Sequence, residues 1–151
     1  MTPVHPPEPL DEHVRQIIAR FDDNRREAFE ERAAIVEEGH TEAAFIIVGS
    51  GPHGADPHHE QSDRVIGEDD IVVIDIGGPV DPGYNSDSTR TYSMGQPSAE
   101  VAAQFAVLEA AQQAAVDSVR PGVSAESVDV AAREVLAAQG LAEVFVHRTG
   151  H

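Results

Sequence analysis

Ile71-Val72-Val73-Ile74-Asp75-Ile76-Gly77-Gly78 is the stretch on which the fold of this chain turns. Its apolar residues are almost all β-branched and its end is marked by glycine, so it reads as a buried strand. One carboxylate, Asp75, interrupts it. Burying that group alone costs several kcal/mol, so Asp75 must sit at the sheet edge, be paired, or bind a cation. Pro79, Pro82 and Gly83 then mark a turn. Tyr84 to Met94 is Ser/Thr-rich, and Thr89, Thr91 and Tyr92 favour a second strand. A hairpin around Pro79–Gly83 brings Asp87, twelve residues after Asp75, close to it across the pair. Two neighbouring carboxylates repel unless positive charge lies between them, and a metal pair supplies that charge.

Upstream, Phe45-Ile46-Ile47-Val48 is another β-prone run ending in glycine, followed by a Gly- and His-rich loop from Gly49 to about Asp63. Gly49-Ser50-Gly51-Pro52-His53-Gly54 matches the G-x-G-x-x-G pattern of dinucleotide-binding proteins. That pattern needs a helix opening at the glycines, whose amides hold the pyrophosphate. Pro57 and the lack of an apolar stripe through Asp70 exclude such a helix. The nucleotide reading is set aside.

Residues 1–10 hold four prolines and read as an extended arm. From Asp11 to about Glu38 the pattern is helical, with stripes at Val14, Ile17, Ile18 and Phe21, and at Phe29, Ala33 and Val36. Asp22-Asp23-Asn24 breaks the two, and Gly39 ends the second. Beyond the hairpin, Ser98 opens an Ala-rich helix to about Val119, and Arg120-Pro121-Gly122 ends it. Ser124 or its neighbours cap a further helix from Ala125 to about Ala138, stopped by Gly140. Val144-Phe145-Val146 reads as the entry to a final strand, running into His147-Arg148-Thr149-Gly150-His151. The expected organisation is an arm at 1–10, a helical segment at 11–44, and an α/β domain, more narrowly α+β, at 45–151.

Composition narrows the chemistry. A chain of 151 residues makes one compact domain or a piece of a larger one. Cysteine is absent, so disulfides and thiolate metal sites are excluded and any metal must be held by His, Asp or Glu. With 27 acids against 10 bases, all Arg, the net charge of −17 argues against nucleic acid as a partner. The same acidity also fits a protein adapted to its host's ionic or coding bias. No stretch reaches the ~18 apolar residues of a membrane helix. Residues 1–8 lack the regions of a signal peptide, so a cytoplasmic location is expected.

His151 offers a third donor, an imidazole that completes a carboxylate-rich site for Mn, Co, Fe or Zn. His147 lies four positions before it, and His58-His59 stand beside Glu60 in the loop. Each of these has a plainer reading. Asp75 can be a turn acid, Asp87 an Asx-turn residue, and the histidine loop a solvated surface.

Ile74-Asp75-Ile76-Gly77-Gly78, Gly83-Tyr84-Asn85-Ser86-Asp87-Ser88-Thr89-Arg90-Thr91 and His147-Arg148-Thr149-Gly150-His151 follow in a familiar order. They resemble the pita-bread metallopeptidases: Xaa-Pro aminopeptidases and prolidases, with methionine aminopeptidases and creatinase as cousins. Gly51-Pro52-His53-Gly54-Ala55-Asp56-Pro57-His58-His59 is similar to the loop that precedes the first metal aspartate in the proline-specific branch. The resemblance implies a curved, mostly antiparallel sheet with helices on its outer face, here incomplete. It implies two divalent ions, Mn first, with Co, Zn or Fe as alternatives. Asp75 matches the ligand of one metal, Asp87 the bridging carboxylate and His151 a ligand of the other. His58 matches a histidine near the scissile bond, and His147 one that positions the substrate or the developing charge. Arg90 matches a structural position.

The expected activity is removal of an N-terminal residue from Xaa-Pro peptides, or cleavage of Xaa-Pro dipeptides, by metal-activated water. The expected partners are a peptide with proline at its second position and, as a candidate, a second copy in a homodimer. The family site needs two further glutamates that follow the H-R-T-G-H segment, so these 151 residues alone are expected to be nearly inactive. The alternatives are a truncated pita-bread domain kept as a non-catalytic binding module, or a creatinase-like amide hydrolase.

Overall fold

The computed structural model describes residues 34–60 and 62–150. The arm expected at 1–10, most of the helical segment expected at 11–44, and His151 lie outside the described residues. Two compact units divide at Pro97–Ser98.

The first unit is built on a three-stranded antiparallel sheet in the order β1-β2-β3: β1 Phe45–Ser50, β2 Ile71–Val80 and β3 Tyr84–Ser93. The expected hairpin is there. Asp81-Pro82-Gly83 turns the chain, and pairing starts at Val80 opposite Tyr84. β2 runs four residues past the end read from the sequence at Ile76. The last three of those residues, Gly78 to Val80, extend beyond β1, which begins at Phe45 opposite Gly77. Residues 40–44 cover the gap: the Thr41 amide donates to the Pro79 carbonyl at 2.9 Å and the Ala44 amide to Gly77 at 2.9 Å. Pro79 lacks an N–H, and this segment meets it through its carbonyl instead.

Strand parity separates two faces. Val72, fully buried, lies on one with Val48, Ile74 and Tyr92, and Ile66 and Met94 close over them. The opposite face carries Ile47, Val73, Asp75, Asp87 and Thr89. That division explains the sequence of β3: alternate residues Asn85, Asp87, Thr89, Thr91 and Ser93 all share the second face. The loop between β1 and β2 opens with a short 3-10 helix, Gly51–Ala55, and among the described residues no longer helix follows in it. The glycine pattern there is not a dinucleotide site.

Arg64 fastens the end of that loop. Its guanidinium donates to both Asp70 carboxylate oxygens at 2.5 and 2.9 Å and to Ser50 Oγ, buried at the end of β1, at 2.7 Å. The Gly67 amide adds a bond to Asp70 at 2.7 Å. Arg64, with help from the Gly67 amide and against a smaller push from desolvation, holds the Asp70 carboxyl below the usual carboxylate range. A depressed folded-state pKa stabilises the fold above the unfolded value of about 3.9, and that contribution is lost as pH falls through the folded value. The thermal midpoint of Asp70→Asn should therefore lie below wild type at pH 5, with the gap closing toward pH 2. A gap that stays constant across this range would contradict the assignment.

The second unit is a helix pair, α1 Ala99–Ser118 and α2 Ala125–Ala138. Both start as the sequence indicates. Ser98 Oγ accepts from the Val101 amide at 3.2 Å, Ser124 Oγ from Ser127 at 3.1 Å, and Glu100 and Glu126 occupy the first turns. Ala111, Ala115, Ala132 and Leu136 form the buried seam, with Val107, Val128, Val135, Leu141 and Phe145 packed against it. The alanines let the helices approach closely, which suits a core poor in aromatics.

The strand expected at Val144-Phe145-Val146 is not formed: residues 142–144 are a turn and 145–150 are irregular. The physical reason is that α2 takes up the hydrogen-bonding groups a strand would need. Arg133 donates to the carbonyls of Phe145 at 3.0 Å and His147 at 2.6 Å, and stacks over the Phe145 ring at 4.9 Å. Asp129 binds Arg133 at 2.7 Å and accepts from the Thr149 amide at 2.7 Å. Those two bonds hold the Asp129 carboxyl below the usual range, Arg133 first.

Candidate metal centre

Asp75 sits in the middle of the central strand, directly opposite Ile47 on β1 and Thr89 on β3. Asp87 is opposite Gly77. Both carboxylates therefore stand on the same face as diagonal neighbours, a relation that places such side chains about 7 Å apart at their Cα atoms. Carboxylate side chains can close that separation onto a shared ion. Asp75 is half-buried and Asp87 exposed, so the pair is open to solvent ions.

Gly77 shapes the space beside them. A Cβ there would collide with the Ser86 carbonyl and stand 2.6 Å from Phe45 Cζ, so only glycine lets the Phe45 ring lie over the strand opposite Asp87. Thr89 adds an anchor that sequence reasoning missed. Its hydroxyl donates to Asp75 Oδ1 at 2.6 Å, the length of a charge-assisted bond. A signal for it did exist. With the turn fixed at 81–83, counting back from Val80 opposite Tyr84 sets Thr89 across from Asp75.

The histidine loop reaches the same face. A Cβ at Gly54 would stand 3.5 Å from Val73 Cγ2, and Val73 is the next residue along that face from Asp75. Within the loop the rings of His53 and His59 stack at 4.2 Å, and Ser62 Oγ lies 3.3 Å from His53 Nδ1. His58 is exposed, with its amide on Asp56 Oδ1 at 3.0 Å. His147 belongs to the second unit, where it is exposed and its carbonyl is held by Arg133. His151 lies outside the described residues. Among the described residues no group of three or more His, Asp or Glu gathers as a metal cage. What the sheet brings together is a pair of hard oxygen donors, the donor type that Mg, Mn and Ca prefer and that Zn, Co and Fe accept.

Residues 13–151 match the sequence model of metallopeptidase family M24. The chain belongs to that family. Its relatives include the "Probable dipeptidase PepE" of Mycobacterium tuberculosis, 67% identical over 118 residues, which are 78% of this chain and 32% of that protein. The Xaa-Pro dipeptidase of Pyrococcus furiosus is 36% identical over 147 residues, 93% of this chain and 41% of that one. Among solved structures, dipeptidase PepE from Mycobacterium ulcerans superposes with a TM-score of 0.79 at 59% identity, covering 91% of this chain and 39% of its own. Recombinant prolidase from Thermococcus sibiricus does so with a TM-score of 0.77 at 39% identity, covering 93% of this chain and 40% of its own. This M24 chain thus carries part of the pita-bread fold, and it spans about a third of the length of the curated relatives it matches. Among the described residues no helix is long and apolar enough to cross a membrane.

Proposed function

We propose that this M24 chain supplies the first ligands of a dinuclear metal site in a cytoplasmic peptidase that cleaves Xaa-Pro bonds. The observation that carries the reading is the diagonal pairing of Asp75 and Asp87 on one face of the hairpin. Asp75, Asp87 and His151 would hold the two cations, Asp75 toward one, His151 toward the other and Asp87 shared between them. When bound, the cations supply Lewis acidity, lowering the pKa of a water and polarising the scissile carbonyl. Mn is the first choice, with Co, Zn and Fe suited to the same donors.

The chain's own side chains do the rest. His58, on the loop that reaches the aspartate face, binds the substrate near the scissile bond. His147 donates a hydrogen bond from its ring N–H to the developing oxyanion. Proline preference comes from the shape of the substrate pocket. The Xaa-Pro dipeptidase names of the relatives support that substrate class, and it is proposed for this chain on that likeness.

The second reading is a non-catalytic binding module. The protein as its gene encodes it, assayed with Mn2+ and an Xaa-Pro dipeptide, separates the two. Proline release that EDTA abolishes and Mn2+ restores is expected, with a dipeptide lacking proline cut at least tenfold more slowly. Peptide binding without turnover would establish the module instead.

A further inference from the structure

We infer that Thr89 is a positioning residue that presents the Asp75 carboxylate to a divalent cation. This rests on the reading that Asp75 binds one, and it goes beyond that reading by giving a task to a side chain that touches neither metal nor substrate.

A carboxylate inside a strand rotates about its last torsion in a broad, roughly two-fold well. As a ligand it must lose that freedom, and the loss weakens binding unless the free protein has already restricted it. The neighbours of Asp75 on its own face decide what can restrict it. Ile47, directly across on β1, and Val73 and Gly77, along β2, have no side-chain donor. Asp87, on the diagonal, carries like charge. Thr89 is directly across on β3, and its hydroxyl takes the role at 2.6 Å.

Among the described residues this is the one hydrogen bond from a side chain to Asp75, and it falls on Oδ1 alone. Oδ2 accepts no bond from a described side chain and is the oxygen left for a cation. The Thr89 hydroxyl thus selects which oxygen is presented and in which plane. Threonine suits the task better than serine, because its branched Cβ stiffens χ1 and favours the strand. Residues that orient metal ligands in this way typically change metal affinity by about 10–100-fold when replaced.

The test uses the full 151-residue chain with Mn2+ as the probe. Affinity is read by calorimetry and the site of binding by paramagnetic broadening of the amide signals of 75 and 87. Thr89→Val keeps the shape and removes the hydroxyl, while Thr89→Ser keeps the hydroxyl. Thr89→Val should weaken Mn2+ binding about tenfold with an unchanged thermal midpoint in the absence of metal, since valine is a good strand residue. Thr89→Ser should stay within about threefold of wild type, because it retains the donor. Thr89→Val binding as tightly as wild type overturns this inference and leaves the metal reading standing. A weakening matched by an equal loss in Thr89→Ser also overturns it, because the hydroxyl is then not the cause. A wild-type chain in which Mn2+ broadens neither 75 nor 87 overturns the metal reading and this inference together.

Discussion

Asp87→Asn should cut Xaa-Pro hydrolysis by the gene-encoded protein about 10³-fold or more and abolish the stabilisation of the chain by Mn2+. The substitution preserves size and removes one negative charge from an exposed strand position opposite Gly77. A carboxylate can bridge two cations with its two oxygens, whereas an amide offers one weak oxygen ligand and an NH2 that repels the metal. Losing one preorganised electrostatic contribution at a reacting centre typically costs about 10²–10³ in rate, and a bridging ligand serves two centres. A second readout does not depend on turnover. A ligand bound only by the folded state stabilises it by RT ln(1 + [L]/Kd), about 2.7 kcal/mol at a hundredfold excess over Kd. Wild type should therefore melt higher with Mn2+, and Asp87→Asn should not. A variant that retains the Mn2+-dependent rise would show that Asp87 is no ligand.

Gly78→Ala should destabilise the fold by about 3 kcal/mol, a drop in midpoint of roughly 6–12 °C for a chain this size. Gly78 is buried, and a Cβ there would run into the Glu42 carbonyl, with the Ala44 amide 3.2 Å away. Both obstacles are backbone, so no side-chain rotation relieves them. The segment 40–44 that covers the end of β2 must shift, and its bonds to Pro79 and Gly77 shift with it. Gly83→Ala is the control. Its φ of +108° imposes strain of about 1–2 kcal/mol, but nothing lies within 4 Å of the added methyl. A thermal melt that ranks Gly83→Ala below Gly78→Ala would contradict the close packing of 40–44 on β2.

The parts of this molecule that were legible in the sequence are those governed by local rules. Ser98 and Ser124 cap their helices because Ser before an acidic first turn has few other uses. The hairpin was legible because Pro82-Gly83 lies between two β-prone runs, and its register then sets Asp75 and Asp87 on one face. What resisted reading depends on partners distant in sequence. Gly77-Gly78 looked like the end of a strand, yet the glycines are there because Phe45 and Glu42 press on the strand as it continues. Val144-Phe145-Val146 has strand composition, but Arg133 and Asp129 on α2 claim the carbonyls and amide around it. The Arg64–Asp70 pair had no spacing rule to announce it. His151, the third proposed ligand, lies outside the described residues, so for the site as a whole the structure adds a geometry for two aspartates and for the loop beside them.

Crystals of the protein soaked in Mn2+, with anomalous differences collected at the manganese edge, ask the central question directly. The account predicts a peak on the polar face of the hairpin, about 2.0–2.6 Å from carboxylate oxygens of both Asp75 and Asp87. A Mn2+ ion found only elsewhere on the molecule, with those two side chains turned to water, would contradict it.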